Sequence, residues 1–184
     1  MKHIIKPAFA LFIIAAVVTA LLGFVYDLTK APRENQRKRT RELTMQEVMA
    51  QASGFREISI TPSGTIVGVY EGLNGSEIAG YVIELEPKGY SDTISMMVGI
   101  SGNESIITGM RVMRHSETPG LGALAVKENF YRQFDGKRMV PLRVVKTNAG
   151  ENEIDAISGS TITTNAITNA VNEAIEWYNK RTGQ

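Results

Sequence analysis

Cysteine is absent from this 184-residue chain. That excludes disulfides, and it excludes an iron–sulfur cluster held by the protein's own thiolates. Histidine is scarce: His3 and His115 are the only two, too few for a histidine-rich zinc or haem site. Net charge is also small. Lys and Arg number 20 against 19 Asp and Glu, a formal +1, which leaves no basic footprint for nucleic acid. If electrons pass through this chain, an organic cofactor must carry them.

What the chain does have is one long apolar run. Residues 7–26, PAFALFIIAAVVTALLGFVY, contain no charged side chain. A helix rises about 1.5 Å per residue, so roughly 20 such residues cross a hydrocarbon layer of about 30 Å. Lys2 and Lys6 flank one end, Asp27, Lys30 and Arg33 the other, and Tyr26 stands where an interfacial aromatic belongs. A cleaved signal peptide would have an apolar core of only about 7–15 residues and a small-residue cleavage site. Val18-Thr19-Ala20 is a weak match, so the length favours an uncleaved single-pass anchor (1–29) in a lipid bilayer. The downstream flank carries Lys30, Arg33, Arg37, Lys38, Arg39 and Arg41. The positive-inside rule, read alone, therefore leaves the following domain in the cytoplasm.

The chain length leaves room for one soluble domain beyond the anchor. Residues 30–54 read as a juxtamembrane helix or linker, with Leu43, Val48 and Ala52 forming a thin apolar stripe. The run Arg37-Lys38-Arg39 fits a solvated helix face better than a lipid-headgroup site. From residue 55 a domain of mixed elements follows. Thr65–Tyr70, Ile78–Leu85, Thr93–Ile100 and Ile106–Met113 read as strands. Asn74-Gly75 and Ser101-Gly102-Asn103-Glu104 read as turns, and spacing this short implies an antiparallel meander. The Asn-x-Ser triplets at Asn74 and Asn103 are taken as chance matches to a glycosylation pattern. A helix is expected from near Leu121 to Phe134, a strand over Val140–Thr147, a loop at 149–152, and a final helix from Thr161 to about Tyr178. Ile162, Ala166, Ala170, Val171, Ala174, Ile175 and Tyr178 would form that helix's apolar face, Lys180 and Arg181 would suit its negative end, and Gly183 would stop it. With no regular βαβ alternation, the fold class is α+β.

Two segments carry chemistry. Asp155-Ala156-Ile157-Ser158-Gly159-Ser160-Thr161-Ile162-Thr163-Thr164 places a turn rich in hydroxyls at the start of the last helix. A helix start has unpaired amides and partial positive charge, so it seats phosphate well. The plain alternative is an ordinary N-cap by Ser158, Ser160 or Thr161. Upstream, Glu117-Thr118-Pro119-Gly120-Leu121-Gly122 is a Pro-Gly loop that can lay amides and Leu121 against a planar ring, or simply open a helix. Gly120-x-Gly122 lacks the third glycine and the strand-to-helix setting of a nicotinamide fingerprint.

Ser158-Gly159-Ser160-Thr161, with Asp155 ahead of it, resembles the attachment motif of the covalent FMN-binding domain family. Its members include the G subunit of the Rnf ferredoxin:NAD oxidoreductase complex and the C subunit of the sodium-pumping NADH:quinone reductase. The Glu117–Gly122 loop is similar to the family's flavin-contacting loop. The order of the two motifs and the single N-terminal anchor also match. The family usually has Ala where this chain has Ser160. The resemblance implies an antiparallel-sheet FMN-binding domain with flanking helices over residues 55–184, with FMN covalently bound through its phosphate to Thr161. Glu117, Thr118, Gly120, Leu121, Gly122, Ser158, Gly159, Ser160, Ile162, Thr163 and Thr164 would form the cofactor site, and Lys88 and Tyr90 would lie near the ring. Asp155 would be either part of the signal read by a flavin transferase that uses FAD as donor, or a turn-forming side chain. His115, nearest to the loop, would be a surface histidine rather than a proton-active neighbour of the flavin.

The implied partners are the flavin transferase and other membrane subunits of an ion-translocating complex. The implied location is the extracytoplasmic face of the cell membrane, opposite to the basic-flank reading. Shortness favours the Rnf type. The competing reading is a non-redox, membrane-anchored extracytoplasmic sensor or assembly domain whose hydroxyl turn is only a helix cap.

Overall fold

The computed structural model describes residues 2–183, with side chains from Ile5 onward. Met1 and Gln184, the ends of the expected anchor and domain, lie outside the described residues, as does the side chain of Lys2. The chain forms two compact units, Met1–Arg41 and Glu42–Gln184. The described residues of the first are helical, part of α1 (Lys2–Val48), which contains Pro7 and Pro32. Its apolar side chains, Phe9, Leu11, Phe12, Leu21, Leu22 and Phe24 among them, are exposed. Mean hydropathy reaches 2.7 over its most apolar 18-residue window, with nothing from the protein covering it. Such a surface is stable only in an apolar solvent.

The second unit is built on an antiparallel sheet in the order β1 (Gly54–Ile58), β2 (Ile66–Asn74), β3 (Glu77–Leu85), β4 (Ser95–Ser101) and β5 (Ile107–Arg114). The meander is therefore as expected. Asn74 and Gly75 close the β2–β3 hairpin, with Gly75 at φ +64°. β1, which the sequence pattern does not announce, is a short edge strand. β4 is buried throughout, which explains its unbroken apolar text. Side chains alternate across the sheet: Val69, Ile83 and Val98 enter the larger core, and Tyr70, Val82 and Met97 enter a smaller one on the other face.

That smaller core is closed by Met45, Val48, Met49 and Ala52. The i, i+3, i+4, i+7 spacing sets this stripe, and Leu43, expected within it, is exposed instead. The sheet receives this segment over two glycine pairs: Gly72 pairs with Gly80, and Gly99 pairs with Gly109. A Cβ on Gly72 would overlap the Met49 thioether, and one on Gly99 would overlap the Val48 carbonyl. That carbonyl also accepts the Thr108 hydroxyl.

The opposite face is covered by α3 (Thr161–Thr182) and the segment Gly122–Phe134. α3 begins where expected and runs one turn further, to a left-handed Gly183. Its core side carries Thr163, Thr164, Ile167, Ala170, Val171, Ala174, Ile175 and Tyr178, whereas Ile162, expected on that face, is 57% exposed. Glu173 accepts the Thr65 amide and hydroxyl, both at 2.8 Å, and Asn172 exchanges two hydrogen bonds with the Leu142 backbone, at 2.8 and 2.9 Å. The helix expected over 121–134 is instead a 3-10 turn (Gly122–Val126), a single turn α2 (Glu128–Tyr131) and a second 3-10 turn (Arg132–Phe134). Lys127 is extended at the break. The tighter winding lets Ala125, Phe130 and Phe134 all reach one core. The expected strand at 140–147 shrinks to β6 (Arg143–Val145). It pairs in parallel with β7 (Glu153–Asp155).

Gly99→Ala should destabilise the protein by about 1–3 kcal/mol, because the new methyl meets the Val48 backbone carbonyl as well as the Thr108 hydroxyl bonded to it. Chemical denaturation checks this, and unchanged stability would show that the 42–52 segment does not need a bare backbone at Gly99.

Candidate functional site

Parallel pairing of β6 with β7 aims the chain at the start of α3. The Ala156 amide bonds the Val145 carbonyl at 2.8 Å. Asp155 is held on three sides. Its amide donates to Gln133 Oε1 at 2.7 Å, its carbonyl accepts Gln133 Nε2 at 3.4 Å, and its Oδ1 accepts the Ala149 amide at 2.8 Å. Its carboxylate therefore shapes the turn. Gln133 had no signal in the sequence, because only tertiary structure brings it to this turn. Gly159 then turns the chain at φ +71°, a conformation that L side chains rarely adopt. A Cβ there would also touch Leu121 at 3.0 Å.

Ser160 occupies the N-cap position, but its side chain makes no capping hydrogen bond. The ordinary-cap expectation fails here because the Ser160 hydroxyl is engaged elsewhere. It donates to Thr163 Oγ1 at 2.8 Å, and Thr163 donates to Glu117 Oε2 at 2.5 Å. Thr164 accepts the Ile157 amide at 3.1 Å and donates to the Ser160 carbonyl at 3.0 Å. Ser160, Thr163 and Thr164 are all buried, whereas Ser158 and Thr161 are exposed.

Glu117 is 5% exposed. Its Oε1 accepts the Ser91 amide at 2.9 Å, and its own amide donates to His115 Nδ1 at 3.2 Å. A Cβ on Gly89 or Gly122 would collide with the Glu117 carboxylate, so both glycines leave room for it. The Thr118 carbonyl accepts the Leu121 and Ala123 amides, closing the Pro-Gly loop.

Together these segments wall a cleft of about 450 Å³ lined by Tyr90, Glu117, Thr118, Leu121, Gly122, Gly159, Ser160, Thr161 and Ile162. Small-molecule sites of about 300–1,000 Å³ are usual. The two motifs, some forty residues apart, thus share one cavity. Lys88, Gly120, Ser158, Thr163 and Thr164 lie outside its lining. Thr163 and Thr164 brace it from behind. Among the described residues no cluster of His, Asp and Glu could hold a metal.

Residues 1–48 match the family model of the RnfG N-terminal region, and residues 89–176 match that of the FMN-binding domain. The G subunit of the ion-translocating oxidoreductase complex of Methanosarcina acetivorans is 35% identical over 99% of this chain and 98% of its own length.

The chain belongs to the RnfG family.

The G subunit of the Na(+)-translocating ferredoxin:NAD(+) oxidoreductase complex of Acetobacterium woodii is also 35% identical, over 96% of this chain and 92% of its own. The fold is shared with NqrC of Shewanella oneidensis, at 22% identity and TM-score 0.54, covering 70% of this chain and 67% of that one. The C subunit of the Na(+)-translocating NADH-quinone reductase of Parabacteroides distasonis aligns with TM-score 0.51 at 26% identity, covering 60% of each chain. RnfG membership and the exposed apolar helix together make this a single-pass membrane protein.

Gln133→Ala should unpair the Asp155 amide of this RnfG chain and cost about 1 kcal/mol. Hydrogen exchange at that amide should accelerate while the β2–β3 amides stay protected. Unchanged exchange would show that β7 alone holds the turn.

Proposed function

We propose that this chain is the FMN-carrying electron-transfer subunit of an ion-translocating ferredoxin:NAD oxidoreductase of the Rnf type, with the FMN phosphate esterified to Thr161 Oγ1. One observation carries the covalent assignment. Of the five hydroxyls from Ser158 to Thr164, Thr161 alone is both exposed and in the cleft lining. Ser160, Thr163 and Thr164 are buried and bonded, and Ser158 lies outside the lining.

The residues present suit the group. α3 is 22 residues long, and its first-turn amides have no side-chain cap. They are free to donate to phosphate oxygens, helped by the positive end of the helix dipole. Gly159 allows close backbone approach. Leu121, Ile162 and Tyr90 offer apolar surface for a flat ring, and Thr118 offers polar groups at its edge. Bound FMN supplies one- and two-electron chemistry, and the chain supplies its position. The FMN-binding family model over residues 89–176 and the names of the relatives support this reading.

Attachment would be made by a flavin transferase acting on FAD. A bond forms between Thr161 Oγ1 and the FMN phosphorus, the pyrophosphate bond of FAD breaks, AMP leaves and the threonine proton passes to solvent. The anchor (1–29) and the segment 30–54 would keep the flavin domain (55–184) beside the other membrane subunits. The tether would matter on the extracytoplasmic face, where no free FMN pool replaces a lost cofactor. Family resemblance supports that face against the count of basic residues.

Protein made with a flavin transferase should keep flavin fluorescence on a denaturing gel. Its intact mass should exceed the sequence mass by one FMN less water. Thr161→Val should remove both signals, and Ser160→Ala should retain them. Fluorescence persisting in Thr161→Val would overturn this acceptor, and an unmodified wild-type mass would favour the non-redox reading. The lack of cysteine gives a clean topology test. Lys146→Cys, at an exposed position, should react with a membrane-impermeant maleimide on intact cells. Labelling only after lysis would place the domain in the cytoplasm.

A further inference from the structure

Of the three buried glutamates among the described residues, Glu71, Glu84 and Glu117, the first and the last are treated very differently. Glu71, 6% exposed, is met by Arg56 Nη2 at 2.5 Å and by Arg181 Nη2 at 3.9 Å. Glu117 is as deeply buried, yet its carboxylate oxygens are met only by neutral donors, the Ser91 amide and the Thr163 hydroxyl. Among the described residues no cation pairs with it. It also stands in the cleft wall.

The hydroxyl chain has a fixed direction. A carboxylate only accepts, so Thr163 must donate to Glu117, which leaves the Thr163 oxygen to accept from Ser160. The dipoles of both hydroxyls point toward the carboxylate and stabilise its negative charge without cancelling it. Gly89 and Gly122 carry no side chain where it sits, so the carboxylate is held in one place. A fixed charge in a poorly solvated wall acts strongly on whatever occupies the adjoining space.

We infer that Glu117 is a tuning charge, a buried uncompensated carboxylate that lowers the reduction potential of the flavin seated in the cleft. The inference rests on the FMN reading above and adds to it a role for a residue that makes no covalent link. Reduction by two electrons and one proton leaves the flavin with one more negative charge than before. Electron uptake next to a fixed negative charge is disfavoured, so the oxidised form is favoured and the group becomes a stronger donor. No bond to Glu117 forms or breaks.

The test uses full-length protein in detergent, made with a flavin transferase and titrated by spectroelectrochemistry at one pH. The electrode supplies electrons through mediators, and the buffer supplies protons. Glu117→Gln keeps the shape and an acceptor for Thr163 while removing the charge, so the midpoint potential of the molecules that carry covalent flavin should rise. Thr163→Val removes the hydroxyl but leaves the charge, so its potential should not rise. A Glu117→Gln potential equal to wild type would overturn the inference. So would a rise in Thr163→Val, because distortion rather than charge would then be the cause, and this arm stands even if Glu117→Gln fails to accumulate. Wild-type protein lacking covalent flavin would instead overturn the FMN reading beneath it.

Discussion

The hydrogen bond from Thr163 to the buried Glu117 carboxylate joins everything that makes the cleft. Glu117 opens the Pro-Gly loop, Thr163 lies in the first turn of α3, and the other carboxylate oxygen takes the Ser91 amide in the turn between β3 and β4. Three stretches distant in sequence thus converge on one side chain. Burying an acidic group is costly unless its oxygens are satisfied, and here satisfying them fixes the spacing between loop, turn and helix. The glycines at 89 and 122 follow from it, since any side chain there would occupy the carboxylate's place.

The same bond explains how the hydroxyls of the Ser158–Thr164 turn divide. Were Thr163 free, Ser160 could turn back and cap α3. Because Thr163 is committed to Glu117, Ser160 is committed to Thr163, and the helix start keeps its unpaired amides. Solvent exposure of Thr161 next to those amides results from where its neighbours are anchored. Ser160 fits this scheme as an added inward bond.

Much of the fold could be read because local and tertiary preferences agree. Asn74-Gly75 made its hairpin, the strands from β2 to β5 carried apolar runs, and the last helix started at Thr161. The loop at 117–122 and the turn at 158–162 stood out by their glycines and hydroxyls, and residues of both line one cavity. Where legibility failed, tertiary contacts decided. β1 is too short and polar to declare itself. The 121–134 segment has helical spacing but winds as 3-10 turns to bring Phe130 and Phe134 into edge contact, 5.7 Å between ring centres. Ile162 fits the helical stripe by number, but Thr163 and Thr164 take the inner side because their hydroxyls have partners there. The Gln133 clamp had no local signature at all.

The two glycine pairs on the face of β2–β5 set the minimum length of an independently folding piece. Glycines cannot shield a sheet from water, so this furrow depends on Met45, Val48, Met49 and Ala52 to fill it. A soluble fragment for crystallography or electrochemistry therefore has to begin no later than Glu42, ahead of the residues that fill the furrow. One that began at Gly54 would expose Tyr70, Val82 and Met97 together, a greasy trough open to self-association.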